Sequence, residues 1–265
     1  MVSAKISLSK LQEGLHTKRF GRRILFAREV SSTNEWVKEL ARFGAEEGTV
    51  AIAETQTAGH GRLNRAWFSP VGGLWFSVVL RPKLHVAEAA KVVFAAGLAV
   101  ADVLREKYDL PVETKWPNDV LVKGRKICGI LAEMSSKGKT VNFVAVGVGV
   151  NVNFDVAEIL PTQIRECSIS MRNALGRKVA LEELFNAVLE RLETLYESFV
   201  ECGFASVLER WKEYAHFLGH KVQVKSEDEV LNGLALDVDG EGALVLRLED
   251  GTIRRLVFGD VSQAG

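Results

Sequence analysis

Cysteine is scarce in this chain and net charge is absent. The three cysteines, Cys128, Cys167 and Cys202, are odd in number, far apart, and none belongs to a CxxC pair. Neither a disulfide framework nor a zinc site is indicated, and no metal-ligating residue set is expected. Lys+Arg and Asp+Glu both total 34, so the broad positive field that draws proteins to polyanions is missing and nucleic acid is not an expected partner. No apolar run reaches membrane-spanning length without Gly or charge, and the amino terminus MVSAKISLSKLQEGLHTKRFGRR carries no continuous apolar h-region. These absences predict a cytoplasmic protein with no membrane partner. Internal repeats, low-complexity tracts and the Walker pattern GxxxxGK followed by Ser or Thr are also lacking.

What is present is ordinary for a globular protein: 265 residues, 47% hydrophobic and 26% charged, enough for one large domain or a large domain with a small appendage. STNEWVKELARFG starts with the N-cap candidates Ser32 and Thr33, places Trp36, Val37, Leu40 and Ala41 at helical spacing, and stops at Gly44, which predicts a short amphipathic helix. TVAIAE and GLWFSVVLRP read as strands, so the TAGHGRLNRAWFSP stretch between them is a loop. The alanine-rich, proline-free VAEAAKVVFAAGLAVADVLREKY predicts one long, largely buried helix.

Further on, VETKWPNDVLVKGRKICGILAEM shows an Asn-Asp corner and then two strands about a Lys-Gly turn, a hairpin signature. TVNFVAVGVGVNVNF is a continuous apolar strand whose glycines permit close approach by a ligand or another backbone. Leu181, Phe185, Val188, Leu192, Leu195 and Phe199 share one face of a helix that closes the large domain. From about His216 the texture changes to short strands, KVQVK, VLNGLALDVD, GALVLRLED and TIRRLVF, separated by DGEG and EDG turns. The expected division is therefore a large domain over residues 1–215 and a small β-barrel over 216–265.

The chemistry-bearing residues lie in four segments. In the loop, Gly59 and Gly61 leave backbone N–H groups unobstructed, and Arg62 and Arg65 offer planar donor forks suited to phosphate oxygens. Taken alone, such a loop is better explained by solvated arginines. Asn118, Asp119 and Lys126 put an amide, a carboxylate and a cation on one hairpin, where Lys126 alone would read as an exposed turn lysine. The hydroxyls and amides of SSTN, Gln56 ahead of the loop, and the amides of GVGVNVN each have a capping or turn explanation when considered singly.

In this order and spacing, however, SSTN, QTxGxGRxxRxWxSP, KWPNDxxxxxxKxxGILxE and GxGxNxN closely resemble the biotin protein ligases, from about Arg22 to the carboxyl terminus. The resemblance implies an α+β fold: a central mixed to antiparallel sheet with helices, like the class II synthetases, plus an SH3-like C-terminal barrel. It implies that biotin and MgATP form biotinyl-5′-AMP, and that the acyl group then passes to a lysine of a biotin carboxyl carrier protein domain. Lipoate ligases and octanoyl transferases, which share that catalytic fold, are the alternative. Family members often pair edge to edge, so a homodimer is expected.

Carried over residue by residue, the resemblance implies biotin-binding roles for Ser32, Thr33, Asn34, Gln56, His60, Gly61, Arg62, Lys126 and Gly129. ATP-side roles fall on Arg62, Arg65, Trp67, Asn118, Lys126 and Asn151, with Mg²⁺ carried mainly by ATP oxygens. Arg62, Arg65 and Lys126 are the candidate catalytic cations, because a carboxylate must approach a phosphate and the two anions repel. Asp119 is the candidate for orienting the acceptor lysine. Two departures stand out. The more usual loop reads GRGR and here His60 replaces the first arginine, so the loop should retain biotinyl-AMP mainly through backbone amides and Arg62. Bifunctional members carry a winged-helix DNA-binding domain ahead of SSTN, whereas 31 residues precede Ser32 here, which predicts the monofunctional type.

Overall fold

The structure is a computed structural model that describes residues 6–226 and 229–263; the ends of the expected domain ranges, and residues 227–228, lie outside these. In chain order the strands are β1 Ile24–Val30, β2 Val50–Gln56, β3 Leu74–Leu80, β4 Val112–Lys115, β5 Asp119–Val122, β6 Arg125–Lys137, β7 Thr140–Val150, β8 Lys221–Lys225, β9 Val230–Val238, β10 Leu244–Leu248, β11 Ile253–Leu256 and β12 Asp260–Gln263. The α-helices are α1 Leu8–Glu13, α2 Thr33–Arg42, α3 Val86–Ala89, α4 Val92–Tyr108, α5 Val156–Ile159, α6 Thr162–Arg165, α7 Met171–Leu175, α8 Leu181–Cys202 and α9 Ala205–Glu213. No helix among the described residues is long and apolar enough to cross a membrane.

Strands β1 to β7 form one mixed sheet in the order β1-β2-β3-β7-β6-β5-β4, in which only β1 and β2 run parallel. Side chains on a strand alternate between faces, and the two faces of this sheet are used differently. Phe76, Val78, Val146, Val148, Cys128 and Ile130 are buried in the main core with α4 and α8. Phe76, for example, meets Phe185 of α8 edge to face at 5.2 Å. The opposite face is covered at one end by α2, whose Val37 and Ala41 pack with Ala51, Val79, Phe143 and Ala145. Every residue of β3 is buried, the pattern of a strand covered on both faces.

Helix α2 follows from its sequence. Ser32 sits in extended backbone and its hydroxyl accepts hydrogen bonds from the Asn34 and Glu35 backbone N–H groups, satisfying donors that the first turn leaves open. The 86–108 segment differs from expectation. It breaks at Ala90–Lys91, where Lys91 N–H donates to Glu88 rather than continuing the α-helical ladder. The break aims the buried Lys91 ammonium at Glu88, 2.7 Å away, and at the Gly240 carbonyl, 3.0 Å away. Beyond α9, β8 to β12 make a five-stranded antiparallel sheet in the order β11-β10-β9-β8-β12. It meets the larger unit through Lys91, between α3 and α4, which donates to the Gly240 carbonyl, and through the indole N–H of Trp116, just past β4, which donates to the Gly242 carbonyl.

Candidate functional site

On the α2 side of the large sheet, the middle strands carry almost no side chains. Strand register aligns Gly129 of β6 with Gly149 of β7, and Ser77 of β3 with Gly147 of β7. The result is a glycine floor. A Cβ at Gly149 would lie 2.5 Å from the Trp67 Nε1 and one at Gly147 would lie 3.0 Å from Asn34 Oδ1, so these positions hold space for the groups above them. Above the floor is a cavity of about 230 Å³ lined by Ser32, Thr33, Asn34, Gln56, His60, Gly61, Arg62, Arg65, Trp67, Asn118, Asp119, Lys126 and Gly129, among others.

At one wall stands the amino-terminal end of α2. Gln56 Oε1 accepts from the Thr33 N–H (2.8 Å) and hydroxyl (3.0 Å), while its Nε2 donates to Ser69 at the far end of the loop (2.7 Å). The Thr33 and Ser77 hydroxyls are 2.9 Å apart. Asn34 donates through Nδ2 to Glu133, and its buried Oδ1 has no partner among the described residues. An unmet buried acceptor is costly, so this oxygen is suited to an incoming N–H.

The Gly59–Trp67 loop is a miniature hairpin. Trp67 N–H donates to Gly59, Gly61 N–H donates to Arg65, and His60 pairs with Ala66 between them. The tip turns at Leu63 and Asn64, both at φ 54°. Trp67 lies over Gly149 and Gly129 and meets Trp75 edge to face, and its buried Nε1 lacks a partner among the described residues. Arg62 donates to Asn118 Oδ1 and to the Gly259 carbonyl, each at 3.3 Å, and Arg65 pairs with Asp260. The loop therefore touches the small sheet. Burial pulls the Arg62 guanidinium down from its ordinary value and nearby Arg65 adds to this, against Asp260 and Asp119.

Lys126 reaches the cavity because of a bulge. Val120 of β5 pairs with Cys128 but Leu121 pairs with Lys126, so Ile127 is an extra residue and Lys126 emerges on the glycine side. Its ammonium lies 2.6 Å from Asp119 and 5.1 Å from the centre of the Trp67 ring. Beneath it, burial pushes the Cys128 thiol up, which leaves a packing residue rather than a nucleophile.

Of the residues to which the resemblance gives a biotin, ATP or catalytic role, Asn151 is the one that does not line the cavity. It is buried behind Lys126, and its Nδ2 donates to the backbone carbonyls of Ile169 (3.2 Å) and Lys126 (3.4 Å). Sequence reasoning missed three polar residues of the lining. Lys115 and Asp260 line the cavity from β4 and β12, and Ser77 lies on its floor. Lys115 lies inside the KWPND motif and could have been found there; Asp260 is separated from its loop partner Arg65 by 195 residues. Beside the cavity, Glu35, His60 and Glu133 bring their polar atoms within 4.8 Å of one another. The Lys38 ammonium already bridges the two carboxylates, at 2.6 and 2.9 Å.

Comparisons with known proteins agree with this geometry. Residues 26–151 match the family described as biotin/lipoate A/B protein ligase, and residues 217–262 match the biotin protein ligase C terminal domain. The chain is 32% identical over 258 residues to the bifunctional ligase/repressor BirA of Bacillus subtilis, covering 97% of this chain and 79% of that protein. It is 33% identical over 220 residues to the biotin–(acetyl-CoA-carboxylase) ligase of Paracoccus denitrificans, covering 82% and 90%. The biotin protein ligase of Aquifex aeolicus in complex with biotin and ATP superposes with a TM-score of 0.79 at 29% identity, over 91% of this chain and 98% of that one.

Proposed function

The chain belongs to the biotin protein ligases, and from that premise we propose that it condenses biotin with ATP to biotinyl-5′-AMP and transfers the biotinyl group to a lysine of a biotin carboxyl carrier domain. In the first step a biotin carboxylate oxygen bonds to the α-phosphorus and pyrophosphate leaves. In the second the acceptor amine attacks the acyl carbon, AMP leaves, and the amine loses a proton. The observation that carries the reading is the convergence, from separate segments, of Arg62, Arg65, Lys115 and Lys126 on one glycine-floored cavity beside the partnerless Asn34 Oδ1.

Two anions meet in the first step, and fixed cations that need no reorganisation are what lowers that barrier. Lys126, held by Asp119, is the group for the biotin carboxylate and the mixed anhydride it becomes. Arg62 and Arg65 serve the phosphates, and Arg65 must exchange Asp260 for them. MgATP brings its own metal, for both cavity carboxylates named here already pair with cations. Asn34, Thr33 and Gln56 supply the amide and hydroxyl partners that a buried ureido ring requires, and Ser32 fixes the helix turn that presents them. Gly61 and Gly129 leave room beside them, Trp67 covers the adenylate, and Asn118 steadies Arg62. Asn151 supports the nucleotide side indirectly, through the backbone of Lys126. Because its charge is shared with Lys126, Asp119 orients the acceptor amine rather than stripping its proton unaided.

The division near residue 215 and an SH3-like form for the second unit are supported by the separate five-stranded sheet. A cytoplasmic homodimer, paired edge to edge, has the sheet margin β1 available. The test is exchange of labelled pyrophosphate into ATP with biotin, lipoate or octanoate as the acid. Exchange dependent on biotin is expected; exchange with lipoate or octanoate alone would replace the biotin reading with its relative.

A further inference from the structure

His60 stands at the loop position where the family resemblance puts an arginine, and both of its ring nitrogens face acceptors. Nδ1 lies 3.4 Å from the carbonyl oxygen of Ala58. Nε2 lies 3.7 Å from Glu35 Oε1 on α2 and 3.6 Å from Glu133 Oε2 on β6. A neutral imidazole has one N–H and one lone pair, so in either tautomer one nitrogen turns its lone pair on an oxygen. Only the imidazolium directs a donor to each side.

Charge points the same way. Among the described residues, the ionisable groups that face this ring are Glu35 and Glu133, and Lys38 of α2 is bonded to both. Burial pushes the Glu133 carboxyl up, but Lys38, the Asn34 amide and His60 outweigh it and hold the group below its ordinary value. With both carboxylates ionised, one lysine leaves a negative charge over, which a protonated His60 neutralises. Arg62 and Arg65 do not serve here, because they turn the other way to Asn118, Gly259 and Asp260.

What His60 holds is the loop itself. Its pairing with Ala66 sits between the Gly59–Trp67 and Gly61–Arg65 hydrogen bonds, so tethering the ring tethers Arg62 and Trp67. The carboxylate that receives it also receives Asn34. We propose that His60 is a positioning residue whose imidazolium fastens the loop to Glu35 and Glu133, so that the protein retains biotinyl-5′-AMP more tightly when the ring is protonated. An arginine would make the same tether permanent; histidine makes it conditional on protonation of the ring. The inference rests on the ligase reading above.

Labelled biotinyl-5′-AMP is formed on the full-length protein from labelled biotin and MgATP, and pyrophosphate release is recorded. Excess unlabelled biotin is then added and release of label is followed at about pH 6 and about pH 8.5, either side of the ordinary histidine range. The wild-type protein should release label about two- to fivefold more slowly at the lower pH, the range for a partly exposed ion pair. His60→Gln should release it fast at both pH values, His60→Arg slowly at both, and Glu35→Gln should narrow the wild-type contrast. Equal wild-type rates at the two pH values, or a contrast that survives in His60→Gln or His60→Arg, would overturn the proposal. Absence of biotin-dependent pyrophosphate in the first stage would instead bring down the ligase reading, and the tether with it.

Discussion

Removing Lys126 separates catalysis from stability at the centre of the site. Lys126→Ala deletes the ammonium that lies 2.6 Å from Asp119 and over the Trp67 ring. If that ammonium bears on the carboxylate and phosphate as they meet, its loss should slow adenylate formation by roughly thirtyfold to almost a thousandfold, the equivalent of about 2–4 kcal/mol of transition-state stabilisation. The fold should suffer far less. The Lys126 side chain is 31% exposed, so water screens the pair and the stability loss should stay near about 1 kcal/mol, with part of it due to Asp119 losing its partner. Lys126→Ala/Asp119→Asn removes that orphaned charge, and it should recover the melting temperature without recovering turnover. Biotin-dependent pyrophosphate exchange and thermal melts on the two variants supply both readouts. Near-normal exchange in Lys126→Ala would remove the residue from the chemistry, and recovery of exchange in the double variant would mean that the loss had been structural.

Other consequences can be checked separately. Gly149→Ala would put a methyl 2.5 Å from Trp67 Nε1, and overpacking of ~1–3 kcal/mol should displace the indole, so that this variant and Trp67→Ala both weaken ATP binding more than biotin binding in calorimetric titrations; equal losses for the two ligands would misplace Trp67. Ser32→Ala removes the cap that serves the Asn34 and Glu35 N–H groups and should cost about 1 kcal/mol in urea unfolding, together with weaker biotin binding as Thr33 and Asn34 lose their fixed turn. The Glu133 carboxyl is held below its ordinary value of 4.5 in the folded protein. Its contribution to stability is therefore full above that value and is lost as pH falls through the lowered folded one, so the stability gap between the wild-type protein and Glu133→Gln should shrink as the pH is taken from neutrality to below the ordinary carboxylate value; a gap that widened on acidification would contradict the Lys38–Asn34 account.

The sequence was most informative where chemistry is local. The Ser32 cap, the α8 face and the β5–β6 hairpin depend on neighbours within one or two turns, and their residues announce them. The four motifs together named the cavity wall because each supplies a different kind of partner. What escaped depends on register and long-range contact. Strand β1 finds its parallel partner in β2 across helix α2, and RILFAREV lacks the clean alternation that would mark it. The bulge at Ile127 decides which face Lys126 takes, yet a one-residue slip leaves no mark in composition. Asn151 carries an amide in a quoted motif, but the backbone carbonyls behind Lys126 consume it. The break at Lys91 serves a hydrogen bond to the Gly240 carbonyl, between β9 and β10 and 149 residues later, and no helical pattern foretells that.

Transfer to the carrier tests the central claim most directly. The protein is incubated with MgATP, a purified biotin carboxyl carrier domain and either biotin, lipoate or octanoate, and the intact mass of the carrier is recorded. A single biotinyl adduct on its acceptor lysine, dependent on ATP and lost when that lysine is replaced by arginine, is the predicted result. An unmodified carrier in the presence of biotin, with an adduct only from lipoate or octanoate, would contradict it.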